Sequence, residues 1–367
     1  MPDHATAEGT AAYARRATQV ARGHFRTAQG VQLSSIGIGT YLGEPDASTD
    51  AAYREAIGAA LIRGCNVIDT AINYRFQRSE RAIGEALAAA FAAGTVRREE
   101  IVVASKAGFI PFDSAPPRDP GRWFYDTFVA TGVATVDDVV AGCHCLSPTY
   151  LEHQLAASLH NLRLRCLDIY YLHNPEMQLK EVPRETVLQR LQAAFVQLEA
   201  AVAAGQIRTY GVATWSGLRQ PESATDHLPL QTLVRLAEAV GGPTHHFRIV
   251  QAPLNLQMPE ALTRRTQRVD GDLVSLLDAA QRLGLTVMAS ASLRQGHLSR
   301  GLPAMLSEVL TGLETDAQRG LQFVRSAPGL TTALVGMKQV RHVEENLSTA
   351  RVAPMEPEQF AQLFCEA

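Results

Sequence analysis

The stretch NVIDTAINYRFQRSERAIGEAL, residues 66–87, joins an apolar strand to a helix through a carboxylate. Val67 and Ile68 read as a buried strand, yet Asp69 follows at once and Tyr74 stands just beyond. A carboxylate in such a place costs several kcal/mol unless a partner faces it, so Asp69 predicts a nearby cation. Downstream, SERAIGEALAAAF opens with Ser79 and an acidic first turn, as a helix start does. Upstream, AAYREAIGAALIRGC is helix-periodic and ends at Gly64, a helix C-cap.

The same alternation runs outward in both directions. IVVASK follows the second helix, SPTYLEHQLAASLHNL precedes LDIYYLH, and RLQAAFVQLEAAVAAG precedes IRTYGVAT. FRIVQAPLN, LTVMASAS and LTTALVG complete the set, with the helix QVRHVEENLSTA after the last. Counted from SSIGIGT there are eight strands, apolar along their length, which implies a parallel sheet covered on both faces. Eight such units close as an α/β (β/α)8 TIM barrel. The open doubly wound sheet is the alternative, but no GxGxxG follows the first strand. Residues 1–23 form an N-terminal segment with a short amphipathic helix, and residues 24–367 one barrel domain that begins with a hairpin turning at Gly30.

Of 367 residues 46% are hydrophobic and 19% charged, enough apolar material for a large core. The formal charge of -3 gives no electrostatic reason to expect nucleic acid or an anionic membrane as partner. Cys65, Cys143, Cys145, Cys166 and Cys365 are an odd, scattered set that suits reduced thiols, and the N-terminus lacks the apolar run of a signal peptide. A cytoplasmic protein is the expectation. Lysine occurs only at Lys106, Lys180 and Lys338.

A long insertion after the third strand, residues 107–148, carries Phe109, Phe112, Trp123, Phe124, Tyr125 and Phe128. Segments of this length are functional or disordered, and the aromatic content favours a lid over the substrate, lined by Phe109, Trp123 and Phe124. Within it GCHCLSP places Cys143, His144 and Cys145 too close together for a tetrahedral zinc site, with no second pair to complete one, so no metal is expected.

Asp69, Tyr74, Lys106 and His173 all stand at or just past strand ends, which in a parallel barrel share one face. A tyrosine hydroxyl, with a pKa of about 10, is a weak acid that a nearby ammonium lowers. Lys106 supplies that charge, Asp69 holds Lys106, and His173 can donate to the same substrate carbonyl oxygen that the tyrosine protonates. Such a site polarises a ketone or aldehyde, and hydride must come from a cofactor.

These motifs resemble the aldo-keto reductase family. IDTAINY is similar to its aspartate-to-tyrosine motif, VVASK to its lysine strand and LDIYYLHNP to its histidine strand. IRTYGVATW, VQAPLN, VMASASLRQG and LVGMKQVRHVEENL resemble its cofactor-binding segments in order, and the likeness spans residues 33–350. The resemblance implies NADP(H), rather than NAD(H), laid across the C-terminal face, and a small carbonyl compound as substrate. It implies Tyr74 as proton donor, Lys106 and Asp69 tuning it, and His173 orienting the substrate. Thr40, Tyr41, Thr214, Gln251, Ser290, Leu293, Gln295, Lys338, Arg341, Glu345 and Asn346 are the implied cofactor contacts, with positive charge at Lys338 and Arg341 suited to a 2'-phosphate.

Three positions depart from the family pattern. Ala213 and Thr214 stand where it places serine and asparagine against the nicotinamide carboxamide, so one hydrogen-bonding group is lost. Ser290 stands where an aromatic ring stacks on the nicotinamide, and Trp215 is the ring available to fill that space. Alternatives to carbonyl reduction are reduction of an imine or conjugated double bond on the same site, and a low-turnover barrel that senses cofactor or binds a partner.

Overall fold

The computed structural model describes residues 2–364, so Cys365 lies outside the described residues. Ile36–Gly39, Val67–Asp69, Val102–Ala107, Leu167–His173, Ile207–Ala213, Phe247–Pro253, Thr286–Ser290 and Leu330–Gly336 are the eight expected strands. They are parallel and close on themselves, the eighth pairing with the first from Ala333 opposite Ile36 to Gly336 opposite Gly39. A helix follows each one: Ala47–Leu61, Arg78–Ala92, Pro148–Leu162, Arg184–Ala203, Leu230–Gly241, Leu276–Arg282, Asp316–Ser326 and Val340–Ser348.

Burial explains the apolar runs. Every residue of Val102–Ala107 and Leu167–His173 is buried, because one side of each strand fills the barrel and the other meets helices. Some crossings are so close that a side chain is excluded: a Cβ on Gly211 would lie 1.6 Å from the Ile249 carbonyl oxygen.

At the opposite pole from the strand C-termini sits the hairpin Phe25–Ala28 and Val31–Ser34, turning at Gln29 and Gly30, both at positive φ. Asn66, just before the second strand, ties it down by accepting from Ser34 N at 2.8 Å and donating to Gln32 O at 2.9 Å. The N-terminal helix Ala7–Arg16 is docked on the barrel, with Tyr13 donating to Leu61 O at 2.5 Å and Arg16 paired to Glu100 at 2.6 Å.

Candidate active site

Strand register decides which strand-end side chains meet. Asp69 lies opposite Ala104, Lys106 opposite Tyr171, His173 opposite Ala213 and Ala213 opposite Gln251 on its other side, so the ends of five neighbouring strands frame one floor. The cation that Asp69 requires is Lys106, whose Nζ donates to Asp69 Oδ1 at 2.5 Å and to the Thr70 carbonyl at 2.8 Å. Gln251 occupies the other carboxylate oxygen, Nε2 donating to Oδ2 at 2.8 Å. Lys106 is 0% exposed and Asp69 5%. Burial works against the ammonium, but Asp69 and then Tyr74 hold it above its ordinary value, so it stays charged.

Lys106 Nζ also reaches the Tyr74 hydroxyl at 3.5 Å. The expectation that this charge lowers the tyrosine needs correction. Desolvation is the larger effect and pushes Tyr74 above its ordinary value, with Lys106 offsetting only part of it. Tyr74 is thus a phenol through the neutral range, with its proton in place to give.

His173 packs edge-on to the Tyr74 ring, centroids 5.7 Å apart, and to Phe109 at 5.0 Å. Burial, then the charge of Lys106, drives it well below the usual histidine value, so it is a neutral imidazole. Its Nδ1 is buried with no hydrogen-bond partner among the described residues.

Asp69, Tyr74 and His173 line a cavity of about 1070 Å³. Thr40, Tyr41, Thr214, Gln251, Ser290, Leu293, Gln295, Lys338, Glu345 and Asn346 line it too, as do Phe109 and Trp215. Tyr41 and Trp215 are its most open rings, 55% and 47% exposed. Trp215 is held there by buried Glu176, whose Oε1 accepts from the backbone N–H of Trp215 at 2.7 Å and Ser216 at 3.0 Å. Thr214 Oγ1 is buried without a partner among the described residues.

Four expected residues are not on this wall: Lys106 is fully buried behind it, and Arg341, Trp123 and Phe124 lie elsewhere. Arg341 is exposed and donates to Gln339 Oε1 at 2.8 Å. Trp123 and Phe124, expected in a lid, lie in the short helix Pro120–Phe124 and face the core. Trp123 packs on Phe112 and Phe128 at 5.1 and 5.4 Å, Phe124 on Phe128 at 5.6 Å, and Phe128 in turn on Tyr150 of the next helix. Aromatic content marked a burial surface, which a one-dimensional reading cannot tell from a pocket wall. Replacing both by alanine is therefore expected to cost about 2–4 kcal/mol in stability, less than a fully buried pair. KM for large and small substrates should change by the same factor, which steady-state kinetics across a size series will check.

Sequence reasoning missed Asn73, Asn174, Arg300 and His342, all on the cavity wall. Asn73 and Asn174 carried a signal, adjacency to Tyr74 and His173. Arg300 carried none. His144, set aside with the metal reading, has both ring nitrogens engaged, with His173 O and with Gln178.

The Aldo/keto reductase family model matches residues 35–301. The chain is 24% identical over 337 residues to a 6-dehydroglucose reductase of Novosphingobium aromaticivorans, covering 88% of each. It is 23% identical to the aldo-keto reductase yakc [NADP(+)] of Schizosaccharomyces pombe, over 83% of this chain and 79% of that one. Among solved structures, an aldo/keto reductase from Klebsiella pneumoniae in complex with NADP and acetate superposes with TM-score 0.61, at 23% identity over 94% of each chain, a likeness of fold.

Proposed function

The chain belongs to the aldo/keto reductase family and is an oxidoreductase of it, and from that premise we propose that it interconverts a small aldehyde or ketone and its alcohol with NADP(H), Tyr74 acting as the general acid. The observation that carries this reading is the Tyr74 hydroxyl on the cavity floor with a buried, carboxylate-held ammonium 3.5 Å behind it.

The wall residues fit the cofactor. The unpartnered Thr214 hydroxyl, beside Gln251, suits a carboxamide, and Lys338, which lines the same cavity, offers a cation to a phosphate. When bound, NADPH supplies the hydride. Tyr74 gives its proton to the carbonyl oxygen as charge builds there, and Lys106 stabilises the phenolate left behind. Asp69 and Gln251 keep Lys106 in place. His173, neutral, donates one hydrogen bond to the same oxygen and so fixes the carbonyl's direction. Two donors converging on one oxygen favour a carbonyl over a carbon–carbon double bond.

Loss of NADPH absorbance with a panel of aldehydes and ketones tests the reading. Turnover of none of them, with NADPH bound, would defeat it. Cofactor choice has its own test: Lys338→Met should weaken NADPH by about 10-fold or more, since a charge-assisted hydrogen bond contributes roughly 1.5–3 kcal/mol, and leave NADH unchanged. Calorimetry with both cofactors gives the answer, and equal loss for the two would show that Lys338 does not read the phosphate.

A further inference from the structure

The long insertion returns to the barrel at a two-residue strand, His144–Cys145, and lays it against the end of the lysine strand. Cys145 N donates to Gly108 O at 2.8 Å and Ile110 N to Cys143 O at 2.8 Å, with Phe109 bridged to His144. His144 is thereby pushed into the core, 0% exposed, directly behind the active-site floor. There its Nε2 lies 2.7 Å from the backbone carbonyl of His173. The two groups come so close around Gly108 that a Cβ on that residue would sit 2.8 Å from both His144 Nε2 and His173 O.

The direction of every bond in this network is fixed by chemistry. Arg190 can only donate, so its contact at 2.6 Å makes the Gln178 oxygen the acceptor. The Gln178 amide nitrogen therefore faces His144 Nδ1, at 2.8 Å, and donates to it. A ring that accepts at Nδ1 carries its proton at Nε2, and that N–H donates to His173 O. Burial agrees, holding His144 down to about 4, so the ring stays in this neutral tautomer at working pH. Phe109 completes the clamp, edge-on to His144 at 5.2 Å and to His173 at 5.0 Å. His173 needs such support, because no side chain among the described residues holds its own Nδ1.

We propose that His144 is the positioning residue for His173: its Nε2–H and the shared Phe109 ring fix the backbone and ring of the substrate-orienting histidine, and the insertion acts as a buttress behind the site. The proposal rests on the reading of His173 given above. It assigns the insertion to the catalytic geometry and not to the substrate's cover.

The test uses the full-length protein. His144→Leu keeps an apolar volume and removes both bonds; His144→Gln keeps an N–H donor at similar reach. Misplacing a reacting group by about 1 Å costs up to roughly 100-fold, so His144→Leu should lower kcat by about 10-fold or more with the NADPH Kd within about twofold of wild type. His144→Gln should return to within about threefold of wild-type kcat. Nitrogen NMR of His144 should show a protonated Nε2 and a bare Nδ1 that does not titrate above pH 5. Should His144→Leu not fold, Gln178→Met removes the donor to Nδ1 and should lower kcat by a smaller factor while shifting those resonances.

Wild-type kcat in His144→Leu overturns the proposal. So does an equal kcat loss in the Leu and Gln variants, a cofactor Kd that weakens in step with kcat, or a His144 that titrates near the ordinary histidine value of about 6.5. Tyr74→Phe run alongside separates the two levels: if it is inactive while His144→Leu is fully active, the buttress alone fails. If Tyr74→Phe is itself fully active, the catalytic reading beneath it fails.

Discussion

Tyr74→Phe should lower kcat for carbonyl reduction by roughly 100-fold or more and leave NADPH affinity unchanged, because it deletes a general acid and keeps the ring. The ring matters on its own account, since it packs between Tyr41 at 5.0 Å and His173 at 5.7 Å and lies 5.0 Å from Lys106 Nζ. The wild-type pH profile follows from the same geometry. With the phenol raised above its ordinary value of about 10, the acid is in its proton-bearing form at all lower pH. Reduction should therefore run level through neutral pH and fall only in the alkaline range, and in Tyr74→Phe that alkaline limb should vanish. Stopped-flow or steady-state rates across pH, with cofactor binding by calorimetry, measure both arms. A variant that reduces carbonyls at the wild-type rate removes Tyr74 from the chemistry.

What the sequence made legible was what burial and spacing dictate locally. Asp69 after Val67 and Ile68 demanded a cation, and a chain with three lysines had one, Lys106, at the end of a neighbouring apolar strand. The eight strands were readable because each is buried along most of its length, and eight such units made a barrel the natural expectation, whereas closure itself is settled by the pairing of the eighth strand with the first. Three things were not readable, each for a physical reason. Trp123 and Phe124 could have covered a pocket or a helix, since hydrophobic burial has no direction in one dimension. The tyrosine's acidity depended on how dry the floor is, which weighed more than the ammonium beside it. His144 sat between two cysteines and suggested a metal, while its actual partners, His173 O and Gln178, come from elements 29 and 34 residues away.

The other large effect concerns the Asp69–Lys106 pair, where each single change strands a buried charge. Asp69→Asn leaves Lys106 fully buried with only neutral acceptors beside it, the new amide oxygen, the Thr70 carbonyl and the Tyr74 hydroxyl, and should cost about 3–5 kcal/mol of stability at neutral pH. Its pH dependence has a definite sign. In the wild type the folded Lys106 pKa is raised, so its contribution is complete below the unfolded value of about 10.4 and fades only as pH climbs through the folded one. In the variant the same lysine is depressed by burial without a countercharge, the unfolded state binds more protons, and stability rises as pH is raised toward about 10. Lys106→Met strands the Asp69 carboxylate in its turn, with only the Gln251 amide left beside it among the described residues, and should cost a similar amount of stability. The double variant Asp69→Asn with Lys106→Met removes both charges together and should regain most of the lost stability, since an apolar replacement of a buried pair is often neutral. It should regain none of the activity, because no ammonium remains to stabilise the Tyr74 phenolate. Denaturant unfolding of the four proteins across pH closes the cycle. If the two single losses simply add in the double variant, the charges are not coupled, and the ammonium behind Tyr74 is held by something other than Asp69.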